Sequence, residues 1–182
     1  MSEIESQCLE VFPQWLAALP DDATALSSLL SAESIPEKAR RHVAGALNYL
    51  FKSLDLIPDG VEDLGFLDDA FVLRVAATVV LREVPDAREA DIRGVLARLA
   101  GEAPLIESLL EADYKRLEKY VLQLEKGAGR GRTVDEIVSD PAVRAQLIRD
   151  VQQWTKGYKT PSFSGGVNTL VKLKAFLGAK LP

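Results

Sequence analysis

At 182 residues and 19.9 kDa, the chain is long enough for one well-buried core, or one core plus an appendage. A hydrophobic fraction of 47% and a charged fraction of 27% are those of an ordinary soluble globular protein. The formal net charge of -5 argues against general nucleic-acid binding by the surface, and the single cysteine, Cys8, excludes an internal disulfide.

Apolar residues recur at helical spacing throughout, and no alternating run reads as a strand. Ile4, Cys8, Val11, Phe12, Trp15, Leu16 and Leu19 predict a first amphipathic helix. Pro13 predicts a kink or fresh start within it, and Pro20 with Asp21 and Asp22 predicts its end and the start of a second helix. Ser34, Pro36 and Glu37 form a helix start, with the helix running to about Ser53. A strongly apolar helix from about Phe66 to Glu83 is apolar nearly all round, which predicts a central position. Pro85 and Asp86 open another helix that Gly101 closes, and Pro104 opens a long one to about Lys126.

Gly127, Gly129 and Gly131, alternating with Arg130 and Arg132, predict a flexible basic linker over residues 127–132. The expected organisation is therefore a bundle over 1–126 and a C-terminal helical segment over 133–182 packed on it. Thr133 and Glu136 stand at capping-box spacing, Pro141 begins a helix through Trp154, and a last helix follows the Gly165–Gly166 pair. The fold class is all-α, an irregular bundle of about eight helices around a central helical hairpin.

Between the two central helices lies the most unusual stretch, Tyr49 to Val72, with Asp55, Asp59, Asp63, Asp68, Asp69 and Glu62 set among apolar residues. Tyr49-Leu50, then Asp55-Leu56-Ile57-Pro58-Asp59, then Leu64-Gly65-Phe66-Leu67-Asp68-Asp69 resembles the pattern of the YkvA-like family over about residues 36–82. That is a bacterial domain family with no established activity, so the resemblance implies a helical hairpin and no chemistry. The chain departs from the usual pattern at Ser53-Leu54-Asp55, where a proline is common, and at Glu62 and Asp63, where apolar residues are common.

Two readings of the acids follow. In the first they are structural: Asp68 and Asp69 occupy the first turn of a helix, Asp55 caps the turn after the preceding helix, and Asp59 before Gly60 forms a turn pair. The protein is then a non-enzymatic interaction or scaffold module with no cofactor. In the second, Asp55, Asp59, Asp68 and Asp69 ligate a hard divalent cation such as Mg²⁺ or Ca²⁺. This includes an enzyme acting on a phosphate-bearing substrate, with Arg130 or Arg132 touching the anion. The spacing does not fit an EF-hand loop, and the lack of a nearby histidine or cysteine argues against zinc.

His42, beside Arg40 and Arg41, reads as a helix-surface or rim residue, and Cys8 as a buried structural thiol. The glycines before Thr133 lack the Gly-Lys-Ser/Thr ending of a phosphate loop. Before Pro36 every charged residue is acidic; after Asp150 every one is basic: Lys156, Lys159, Lys172, Lys174 and Lys180. The tail joins these lysines to Trp154, Tyr158, Phe163 and Phe176, a mixture that packs on the bundle, docks on an acidic protein partner or lies on an anionic membrane surface. No stretch reads as a signal peptide or a membrane span, and the expected location is cytoplasmic.

Overall fold

The computed structural model describes residues 1–84 and 90–182, the side chains of residues 90 and 91 excepted. The expected helix start at Pro85 and Asp86 lies outside the described residues. The described elements are α1 (Glu3–Ser28), α2 (Glu37–Tyr49), α3 (Leu67–Glu83), α4 (Ala90–Leu110), α5 (Asp113–Gln123), β1 (Ala128–Gly129), β2 (Arg132–Thr133), α6 (Val134–Ser139), α7 (Pro141–Gly157) and α8 (Val167–Lys180). The protein is an all-α irregular bundle, as its periodicity predicts.

The apolar-all-round pattern of α3 places it at the centre, packed against α1, α2, α4 and α5. Its buried set runs almost unbroken from Leu67 to Val80. The outer helices carry narrower stripes. α7 and α8 rest on α1, with Leu147, Val151, Leu170, Leu173 and Leu177 buried in the core, and α6 rests on α2. Among the described residues no helix is long and apolar enough to cross a membrane.

Several local expectations change. α1 runs straight through Pro13 and Pro20 as one helix. Proline costs a helix one hydrogen bond and strands the carbonyl four residues earlier. For Pro20 that carbonyl is Leu16 O, and the Tyr158 hydroxyl donates to it at 2.8 Å. The rest of the cost is offset by burying Phe12, Trp15, Leu16, Leu19, Ala23 and Leu26 on one face.

α4 likewise passes through Gly101 and Pro104, because Leu96, Leu99, Ala103, Ile106 and Leu110 keep one buried stripe across both. The break falls later, at Glu111, whose positive φ of 53° ends α4 before α5 begins. Two apolar runs that read as one helix to Lys126 are thus divided at a corner. α2 also begins at Glu37, with Pro36 extended at its N-cap, and ends at Tyr49 rather than near Ser53.

A last change concerns residues 127–132. These form a two-residue antiparallel ladder, Ala128 opposite Thr133 and Gly129 opposite Arg132, turned by Arg130 (φ 49°) and Gly131 (φ 76°). The backbone is held close: Asn48 Nδ2 donates to Arg132 O at 3.0 Å, and a Cβ on Gly129 would meet Asn48 O at 2.5 Å. Glycine content predicts freedom, but here glycine is what lets the turn lie directly on α2. The capping box beyond it forms as expected, with Glu136 N on Thr133 Oγ1 at 3.1 Å and Thr133 N on Glu136 Oε2 at 2.8 Å.

Candidate functional site: the acidic corner

The corner is the connection from the last turn of α2 to the first turn of α3. Tight turns fold it inward. Asp63 and Phe66 take left-handed backbone (φ 62° and 66°), and Gly65 sits where a Cβ would lie 2.0 Å from Asp59 O. Any side chain at residue 65 would push the loop away from itself, which is the physical reason for glycine there. Pro58 O accepts from Val61 N at 3.0 Å, closing the turn at Gly60.

Asp68 fastens this loop. Its Oδ2 accepts from the Tyr49 hydroxyl at 2.5 Å and from Ile57 N at 3.0 Å, and the Tyr49 hydroxyl in turn accepts from Leu56 N at 2.8 Å. One carboxylate oxygen and one phenol therefore join the end of α2, the middle of the loop and the start of α3. First-turn acids are expected to cap their own helix; Asp68 also reaches across to the preceding element. Phe66, at the N-cap of α3, makes no side-chain cap bond.

The other oxygens are less well served. Asp68 is fully buried and Asp69 is 3% exposed, yet Asp68 Oδ1 and Asp69 Oδ2 have no hydrogen-bond partner. Buried carboxylate oxygens without partners are expensive as anions. Burial pushes the Asp69 carboxyl well above the ordinary range, and the neighbouring Asp68, Asp59 and Asp55 carboxylates push it further. Burial also raises Asp68, against the pull of its Tyr49 and Ile57 donors. Asp55 is pushed up to about 6 by burial and then by Asp59 and Asp68, with Lys52 opposing. Partial burial raises Asp59, at the rim.

The four predicted residues thus lie in one electrostatic neighbourhood, two buried and two toward the surface. Among the described residues, no three His, Cys, Asp or Glu side chains form a group that could hold a metal ion. Asp63, outside the predicted set, accepts from Ser164 N and Ser164 Oγ at 2.9 and 3.1 Å and so ties the extended segment before α8 onto the corner. In the same region Tyr158 stacks edge-on with Phe66 at 5.2 Å, and Phe163 with Phe12 at 6.3 Å.

Sequence reasoning missed a second polar cluster. Arg74, in the middle of α3, is fully buried with Nε on Glu102 Oε2 at 2.7 Å and Nη2 on Asp22 Oδ2 at 3.3 Å. Nη1 donates to Ala70 O at 3.1 Å, and the guanidinium lies 4.2 Å from the Trp15 ring centroid. Asp22 is shared with Arg98 at 2.5 Å. A lone arginine inside an apolar helix is the signal; its partners lie 52 and 28 residues away, beyond the reach of spacing. His42, expected at the rim, is 6% exposed on α2, and burial lowers its pKa. Cys8 is buried, and burial pushes its thiol up to about 11, which makes it a poor nucleophile.

Residues 39–74 match the model of a family described as "Protein of unknown function (DUF1232)". This uncharacterised bacterial family is consistent with the YkvA-like resemblance, and its model covers α2, the corner and the start of α3. No curated protein matches the chain, and no solved structure matches it.

Proposed function

We propose that this protein, whose α2–corner–α3 unit matches that uncharacterised family, is a non-enzymatic helical interaction module. The carrying observation is how the most polar part of the unit is used. Asp68 and Tyr49 spend their hydrogen bonds on Ile57 N, Leu56 N and each other, so Asp68 serves to fix the hairpin. Docking then belongs to the basic end. The aromatic side chains of the tail turn toward the bundle, whereas Lys156, Lys159, Lys172 and Lys180 are exposed, and no ion pair of theirs is found among the described residues. Exposed lysines on an otherwise acidic chain favour an acidic partner.

The test uses a fluorescent poly-glutamate peptide as probe. Binding at low ionic strength is expected, with a loss of at least about tenfold in affinity when Lys156, Lys159, Lys172 and Lys180 are all changed to Glu. Equal binding by that variant would overturn the docking assignment. Deleting the tail is not a substitute, because Val151, Leu170, Leu173 and Leu177 belong to the core.

The divalent-cation reading retains one supporting observation, the two buried and unpartnered oxygens of Asp68 and Asp69. It is tested by thermal unfolding in Mg²⁺, Ca²⁺ or Mn²⁺ against chelator. A cation bound to the folded state must raise the midpoint by mass action, and Asp69→Asn must abolish the rise. Unchanged midpoints at millimolar metal would leave the acids with a structural role alone.

A further inference from the structure

The β1–β2 turn brings the arginines of the glycine-rich segment to the end of α2, beside α7. There Arg130 lines a cavity of about 340 Å³, with Phe51, Lys52, Asp59, Asp150 and Trp154 among its other lining residues, while Arg132 is buried beside it. That is the lower range of small-molecule sites. We infer that this cavity binds the phosphate group of a small phosphate monoester, with Arg130 as the direct contact. The inference shares with the divalent-cation reading only the arginine contact to a phosphate group; it needs no metal, no catalysis and no exposed lysine of the tail.

The first ground is uncompensated charge. Arg130 and Arg132 both lie over the Phe51 ring, at 5.2 and 5.6 Å from its centroid. One carboxylate serves them both: Asp150 Oδ2 is 2.5 Å from Arg132 Nη1 and 3.5 Å from Arg130 Nη1. Arg132 is 8% exposed, and its Nε and Nη2 are buried without an acceptor. A buried guanidinium bonded through one nitrogen is undercompensated, and an incoming anion lowers that cost. Lys52 adds a third cation, its Nζ 3.1 Å from the Tyr120 hydroxyl.

The second ground is Arg130 itself. Its side chain is 60% exposed at the cavity while its backbone holds the strained φ of 49°. The turn position favours glycine, so the backbone gains nothing from arginine there. The planar fork of a guanidinium suits the paired oxygens of a phosphate. Counting Lys52, Arg130 and the neighbouring Arg132 against Asp59 and Asp150 leaves an excess of one positive charge, which favours an anionic ligand. Asp59 lines the same cavity and, unlike Asp150, pairs with neither arginine, so its carboxylate repels such a ligand.

The experiment is thermal unfolding of the full chain with phenyl phosphate, in excess EDTA, against sodium chloride at matched ionic strength. For a millimolar site, about 10 mM phenyl phosphate should raise the midpoint by about 3–5 °C. Arg130→Gln should abolish the rise. Arg130→Gly, which relieves the positive φ, should fold at least as stably and still show no rise. Asp59→Asn should enlarge it. A rise that chloride reproduces, a rise retained by either Arg130 variant, or no rise at all overturns the site. Loss of the rise in Asp59→Asn would overturn the direct contact in favour of binding through a shared cation.

Discussion

Replacing Arg74 with Met should cost about 3 kcal/mol of stability and lower the thermal midpoint by about 6–12 °C. Removing one partner of a buried ion pair leaves the other charge in a medium that cannot solvate it. Asp22 is 1% exposed at its side chain, and Arg74 supplies one of its two cations. Arg98 remains 2.5 Å from Asp22, which keeps the loss at the lower end of what breaking a buried pair produces. Urea unfolding measures it. The double change Arg74→Met/Asp22→Leu should recover much of the stability, because both charges then leave the core together. A single-variant loss below about 1 kcal/mol would mean the guanidinium is not holding α1, α3 and α4 together.

Tyr49→Phe tests the corner. It removes the hydroxyl that Leu56 N donates to and that itself donates to Asp68, while the ring keeps its edge-on contact with Tyr120 at 6.1 Å. A buried amide and a carboxylate oxygen each lose a partner, for a loss of about 2–3 kcal/mol. The loss should depend on pH in a definite direction. Asp55, Asp68 and Asp69 all have folded-state pKa values raised above those of an unfolded carboxylate. Their contribution is therefore fully present below about pH 4 and is lost as pH rises through the folded value, about 6 for Asp55.

Urea midpoints at pH 4.5 and pH 7 check this. These groups make the corner more stable at the lower pH, and Asp55→Asn should flatten the slope between pH 4 and 6. The Tyr49 donor restrains the rise of Asp68, so Tyr49→Phe should cost more at pH 7 than at pH 4.5. An equal cost at both values would show that the phenol does not act on the ionised carboxylate.

Helical character was legible because it is written in local spacing. The capping box at Thr133 and Glu136 and the apolar circumference of α3 needed no knowledge of neighbours. The corner was legible as a place, since acids among leucines and phenylalanines stand out and Asp68 and Asp69 fall at the start of a helix. Its wiring was not legible. Nothing in the spacing of Tyr49 and Asp68, 19 residues apart, says that they share a hydrogen bond. Helix ends were misread wherever a local signal competed with burial. Pro20 and Pro104 are strong breakers alone, yet each sits within a continuous buried stripe, and Tyr158 satisfies the carbonyl that Pro20 strands.

The sequence by itself determined an all-helical chain, a central apolar helix and a corner where acids gather. Periodicity and capping are local, and a residue's neighbours along the chain suffice to state them. Only the tertiary structure decided which charges compensate which. It sank Arg74 between Asp22 and Glu102, spent Asp68 on Tyr49 and Ile57, and laid a glycine-rich turn against α2 so that Arg130 faces a cavity it shares with Asp59. Those pairings join residues 11 to 52 positions apart. They depend on desolvation, which no single segment of chain has until the others cover it.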